Sequence, residues 1–63
     1  MRANLKAARK AKGLTQQAVA EMLHIGLRYY KYMESGKRLG AIDLWDTLEE
    51  LLEVHQRDLR ENV

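Results

Sequence analysis

The chain has 63 residues, eleven Lys/Arg against nine Asp/Glu, a net charge of +2, and neither cysteine nor proline. A chain of this size buries only about 60% of the surface its unfolded form exposes, which predicts one domain over residues 1–63 with a thin core. Without cysteine, disulfides and thiolate metal sites are excluded. No apolar run resembles a signal peptide or approaches the ~20 residues of a membrane span, so a soluble cytoplasmic protein is expected.

The residue types favour helix from end to end, with no strand-like alternation and few β-branched residues. Residues 3–12 suit a first helix with Leu5 and Ala8 on its apolar edge, and Gly13 stops it as a left-handed cap. Thr15 is a natural N-cap for a second helix over residues 15–23, whose inward face is Val19, Ala20 and Leu23. Ala20 is small where two helices must approach closely. His24-Ile25-Gly26 then forms a tight turn, and a third helix runs over residues 27–35 to a stop at Gly36. A fourth helix is expected over residues 41–52 and a short fifth over residues 55–61, with Leu59 facing in.

Two helices joined by a three-residue turn, residues 15–36, have the layout of a DNA-reading helix-turn-helix. On a wheel at about 100° per residue, Tyr30 and Met33 share one side of the third helix, which is the side expected to be buried. Arg28 and Tyr32 fall opposite, flanked by Lys31 and Tyr29, with Leu27 at the border. Arg28 can donate two hydrogen bonds to guanine O6 and N7, Tyr32 offers a hydroxyl and a flat ring, and Leu27 suits a thymine methyl. Leu27, Arg28, Lys31 and Tyr32 are therefore the expected base contacts. Gln16, beside a helix N-terminus, suits a phosphate, as do Lys37 and Arg38; Tyr29 is either a phosphate contact or simply exposed.

Charge is divided along the chain. Residues 1–38 hold nine Lys/Arg against two acids, a balance of +7, and residues 39–63 hold two against seven, a balance of −5. This suggests a polyanion-binding part and a part that repels polyanions. The fourth helix gathers Ala41, Leu44, Trp45, Leu48, Leu51 and Leu52 on one arc, with acids on the other side. Trp45 either closes this domain's own core or, with Ile42 and Leu52, lines a dimer or partner interface. The small core favours the interface.

The ordered set Arg9, Gly13-Leu14-Thr15-Gln16, Val19-Ala20, Ile25, Tyr30, Met33-Glu34 and Gly36-Lys37 resembles the phage repressor and Cro-type helix-turn-helix domains, the xenobiotic-response-element-like group. The resemblance implies an all-α fold, a compact five-helix bundle of the lambda-repressor-like type, that binds operator DNA as a symmetric dimer. It implies a phosphate-anchoring role for Gln16, base reading by Leu27, Arg28 and Tyr32, and a basic loop at Lys37 and Arg38 that holds the DNA backbone. Arg9 and Glu34 resemble a structural pair that ties the first helix to the end of the third. The chain departs from the pattern at His24, where glycine is usual, and at Gly40-Ala41, where Pro-Ser is common. It also lacks the paired glutamines common at the base-reading positions.

The expected function is thus a sequence-specific regulator of transcription, a repressor, that reads double-stranded DNA as a homodimer. The alternative is an adaptor that binds a partner protein through the acidic half. An enzyme has no support: there is no nucleophile–histidine arrangement, His24 and His55 have no metal-ligand partners, and 63 residues leave little room for a substrate pocket. No cofactor, metal or small-molecule ligand is expected.

Overall fold

The computed structural model describes residues 1–63 as five helices: α1 (Ala3–Ala11), α2 (Gln16–Met22), α3 (Leu27–Ser35), α4 (Ile42–Leu52) and α5 (Gln56–Leu59). The fold is all-α and has no strand.

The first three helices stop in the same way. Gly13, His24 and Gly36 follow them with φ of +71°, +58° and +90°. The next backbone N–H then reaches back: Leu14 to the carbonyl of Arg9 at 3.2 Å, Ile25 to Ala20 at 3.0 Å, and Lys37 to Tyr32 at 2.9 Å. This is the Schellman arrangement, which satisfies carbonyls the helix itself leaves open. At Gly36 it is the backbone conformation that needs glycine, since a Cβ there would meet only the end of the exposed Asn62 side chain, which can turn aside. His24 takes the same backbone position with a Cβ in place, the strained turn that its departure from glycine predicts. At the other end of α2, Thr15 Oγ1 accepts from the Ala18 N–H at 3.0 Å, the expected cap.

α4 begins one residue later than expected, with Ala41 as its exposed N-cap. α5 ends at Leu59, short of residue 61. Its last carbonyls go to side chains from the start of the chain: Asn4 Nδ2 donates to Asp58 O at 3.1 Å and Arg2 Nε to Arg60 O at 3.0 Å. Those bonds replace a further helical turn.

The core is Leu5 from α1, Val19, Ala20 and Leu23 from α2 and its cap, Tyr30 and Met33 from α3, Trp45, Leu48 and Leu52 from α4, and Leu59 from α5. α2 packs on α3, α4 on α5, and α1 touches both α3 and α5. Ala20 is 1% exposed, so its small side chain sits inside the core between helices, as its size suggests. The outcome measures 23 × 23 × 19 Å, with α3 held by its buried edge and its other side turned outward. No helix is long and apolar enough to cross a membrane.

Candidate nucleic-acid interface

α3 is rigidly seated. Tyr30 and Met33 are fully buried along one side, and the Schellman cap fixes its end. The opposite side presents Arg28 and Lys31, both exposed, with Leu27, Tyr29 and Tyr32 half-buried beside them. Leu27, Arg28, Lys31 and Tyr32, the four residues expected to touch bases, line one surface cleft together. Arg28 and Tyr32 are shared with a second cleft, which Tyr29 and Arg38 complete. Lys37 Nζ lies over the Tyr32 ring, 5.4 Å from its centroid, a cation–π contact between the loop after α3 and the middle of the helix.

A third cleft opens on the other flank of α3. Lys6, Arg9 and Lys10 of α1, Gln16 of α2, and Lys31 and Glu34 of α3 line it. Arg9 and Glu34 meet here as a bidentate pair, Nε–Oε2 at 3.0 Å and Nη2–Oε1 at 3.2 Å. Arg9 Nη1 also donates to Leu14 O at 2.7 Å, so the pair ties α1 and its following turn to α3. Burial opposes the Glu34 charge, but hydrogen bonds from Arg9 and from neighbouring groups outweigh it and hold the carboxyl pKa below its ordinary value. The same bond raises the Arg9 pKa against the opposing effect of burial. The Tyr30 hydroxyl is buried close to this carboxylate without meeting hydrogen-bond geometry, and burial pushes its pKa well up.

Gln16 is half-buried and donates one amide N–H to Glu34 Oε1 at 3.2 Å. Its side chain is therefore positioned by the Arg9–Glu34 pair, at the N-terminus of α2, with the second N–H making no bond within the protein. No group of three His, Cys, Asp or Glu gathers in a way that would hold a metal ion.

A family model described as helix-turn-helix matches residues 5–61, nearly the whole chain. The chain belongs to the Cro/C1-type helix-turn-helix family. No curated protein and no solved structure matches it. Membership makes it a DNA-binding regulator of transcription whose partner is double-stranded DNA.

α2 and α3 of the helix-turn-helix pack directly against each other, and the interface expected of Ile42, Trp45 and Leu52 is in part covered by the domain itself. Trp45 is 0% exposed and Leu52 is 2% exposed; both belong to this domain's own core. Trp45 is covered because Arg2 lies over its ring and its Nε1 donates to Leu39 O at 2.7 Å. Of the three, only Ile42 is on the surface, 67% exposed, with Leu39 nearby in sequence at 55%.

Arg2, Lys6 and Lys10 were not among the expected site residues. Nothing local singles out Arg2, since its burial depends on where the ends of α3 and α5 fall. Lys6 and Lys10 carried a signal, four residues apart on one helix face, but only the packing of α1 against α3 shows which way that face points.

Proposed function

We propose that this chain is a cytoplasmic, sequence-specific transcriptional repressor that lays α3 in the major groove and works as a two-fold dimer. The observation that carries the reading is the outward side of α3. Leu27, Arg28, Lys31 and Tyr32 meet in one cleft there, with cationic or phosphate-suited groups on both flanks. Arg28 supplies the bidentate donor that guanine needs, and Tyr32 and Leu27 supply apolar surface for a base edge or a thymine methyl. Tyr29, Lys37 and Arg38 hold phosphates on one flank of the groove. Gln16 does so on the other, its free N–H aimed by Glu34 and supported by the α2 dipole.

The two copies meet at Ile42, at the start of α4, and Leu39, in the loop before it, both exposed apolar side chains. This patch is small beside the ~1,200 Å² of a stable interface, so the two copies associate weakly alone and firmly on DNA. The adaptor alternative loses its anchor, because Trp45 is buried.

Selection of duplexes from a random pool tests the proposal. The expected product is a near-palindrome with half-sites about 10 base pairs apart, one helical turn. Failure to enrich any sequence would remove the sequence-specific reading, and an asymmetric site would remove the dimer alone.

A further inference from the structure

Lys6 and Lys10 lie at i and i+4 on α1 and so share one face of that helix. The fold turns this face toward the start of α2 and the middle of α3, where both lysines line a cleft with Gln16 and Lys31. The cleft's one acid, Glu34, is already bound by Arg9 through both carboxylate oxygens. Lys6, Lys10 and Lys31 form no ion pair with any acid of the chain. Three uncompensated cations therefore surround a positioned amide.

Lys31 also belongs to the neighbouring cleft, where Arg28 and Tyr32 lie, and these two continue into the cleft that ends at Arg38. The clefts form one band, running from α1 across α3 to the loop after it. A major groove about 12 Å wide is bordered by a phosphate ridge on each side. With α3 in the groove, Tyr29, Lys37 and Arg38 face one ridge. The other ridge has only Gln16, a neutral amide, among the residues assigned so far.

We infer that Lys6 and Lys10 are the cationic clamp on that second ridge, which makes α1 part of the DNA interface as well as of the core. The inference rests on the reading of α3 as the groove-entering helix. The clamp reads no sequence; it fixes how far α3 rolls in the groove, because the two ridges are gripped from opposite sides.

The test compares the salt dependence of duplex binding by the whole chain with that of Lys6→Gln, Lys10→Gln and Arg57→Gln. Arg57 is exposed on α5 and lines none of the three clefts, and its substitution removes the same charge. Each lysine variant is expected to reduce the slope of log K against log salt by about 0.9 while base preference stays unchanged. Arg57→Gln is expected to leave the slope alone. Ethylation interference should then show the lost phosphate on the strand opposite the one that Lys37 touches. Unchanged slopes in both lysine variants, or an equal fall in Arg57→Gln, would overturn the clamp while the α3 reading stands. If the unaltered chain binds no duplex selectively, the α3 reading falls and the clamp with it.

Discussion

Arg2 lies over the ring of Trp45, 5.3 Å from its centroid, while the same guanidinium donates to the carbonyls of Met33 at 2.7 Å, Arg38 at 2.8 Å and Arg60 at 3.0 Å. The end of α3, the loop that follows it and the end of α5 all converge on this one side chain. Arg2 has no carboxylate partner; burial, and then the like charge of Arg60, lower its pKa from the ordinary value. The stack and the three carbonyls therefore hold the charge. Because Arg38 lies in the basic loop, Arg2 also orders residues proposed to touch DNA.

Arg2→Ala should destabilise the domain by about 2–3 kcal/mol, since carbonyls bonded to a charged donor are left open and the Trp45 face is uncovered. Arg2→Lys should recover less than half, because a single ammonium cannot reach three carbonyls in one geometry. Urea unfolding measures both. A loss below about 0.5 kcal/mol in Arg2→Ala would mean that water replaces the guanidinium without penalty.

The Arg9–Glu34 pair sets an acid limb. An unfolded chain takes up a proton at Glu34 near 4.5, and the folded chain holds it off to lower pH. The stabilisation is therefore complete above pH 4.5 and is lost as pH falls through the folded value. Glu34→Gln should flatten that limb, but it also leaves Arg9 buried and unpaired, at a cost of about 3–5 kcal/mol. The double change Arg9→Met with Glu34→Leu should regain most of that stability and keep the limb flat. An unchanged acid limb in the double variant would assign it to other carboxylates.

His24→Gly should stabilise the fold. The residue sits at φ +58°, a conformation that glycine adopts without Cβ strain. The gain, offset in part by the freer unfolded chain, is about 0.5–1 kcal/mol, or a rise in Tm of about 2–8 °C for a domain of this size. A calorimetric melt decides it, and a fall in Tm would show that the imidazole makes a compensating contact.

Arg28 and Lys37 should separate on DNA. Arg28→Ala is expected to lose discrimination at one base pair by about 1–3 kcal/mol, and Lys37→Ala to weaken every duplex to a similar degree. Titration against the selected site and its single-base variants compares them. Uniform weakening by Arg28→Ala would make Arg28 a phosphate contact. Selective loss in Lys37→Ala would mean that its place over the Tyr32 ring steers how Tyr32 meets a base.

Ile42→Asp should leave stability nearly unchanged, since the side chain is 67% exposed, and should lower affinity for the full palindrome far more than for a half-site. Gel-shift titration on both duplexes reads the difference. Equal effects on the two would remove Ile42 from the dimer seam.

Most of the fold was legible because its signals are local. Thr15, Gly13 and Gly36 each mark a helix end through chemistry confined to a few residues, and the 3.6-residue period fixed the buried side of α3. The position of Trp45 was not legible in the same way. A helical wheel says which arc faces inward, but whether an edge residue finds cover depends on groups from elsewhere. Here the cover is Arg2, the residue ahead of α1, and the Leu39 carbonyl. Within the site, the outward side of α3 followed from periodicity. The engagement of Gln16 with Glu34 did not, because it needs α2 and α3 placed against each other.

The molecule is 23 Å across, and its charge is split +7 to −5 along the chain, the acids riding mainly on α4 and α5. At physiological ionic strength the field of an exposed charge fades over about 8 Å, less than the width of the domain. An approaching duplex then responds mainly to the charges nearest it. At about 0.01 M salt the screening distance is ~30 Å, and the duplex senses both charge clusters at once as a torque on a nearly neutral body. Dilute buffer should therefore turn the protein toward DNA from farther away, while cellular salt leaves the choice of face to the last few ångströms of approach.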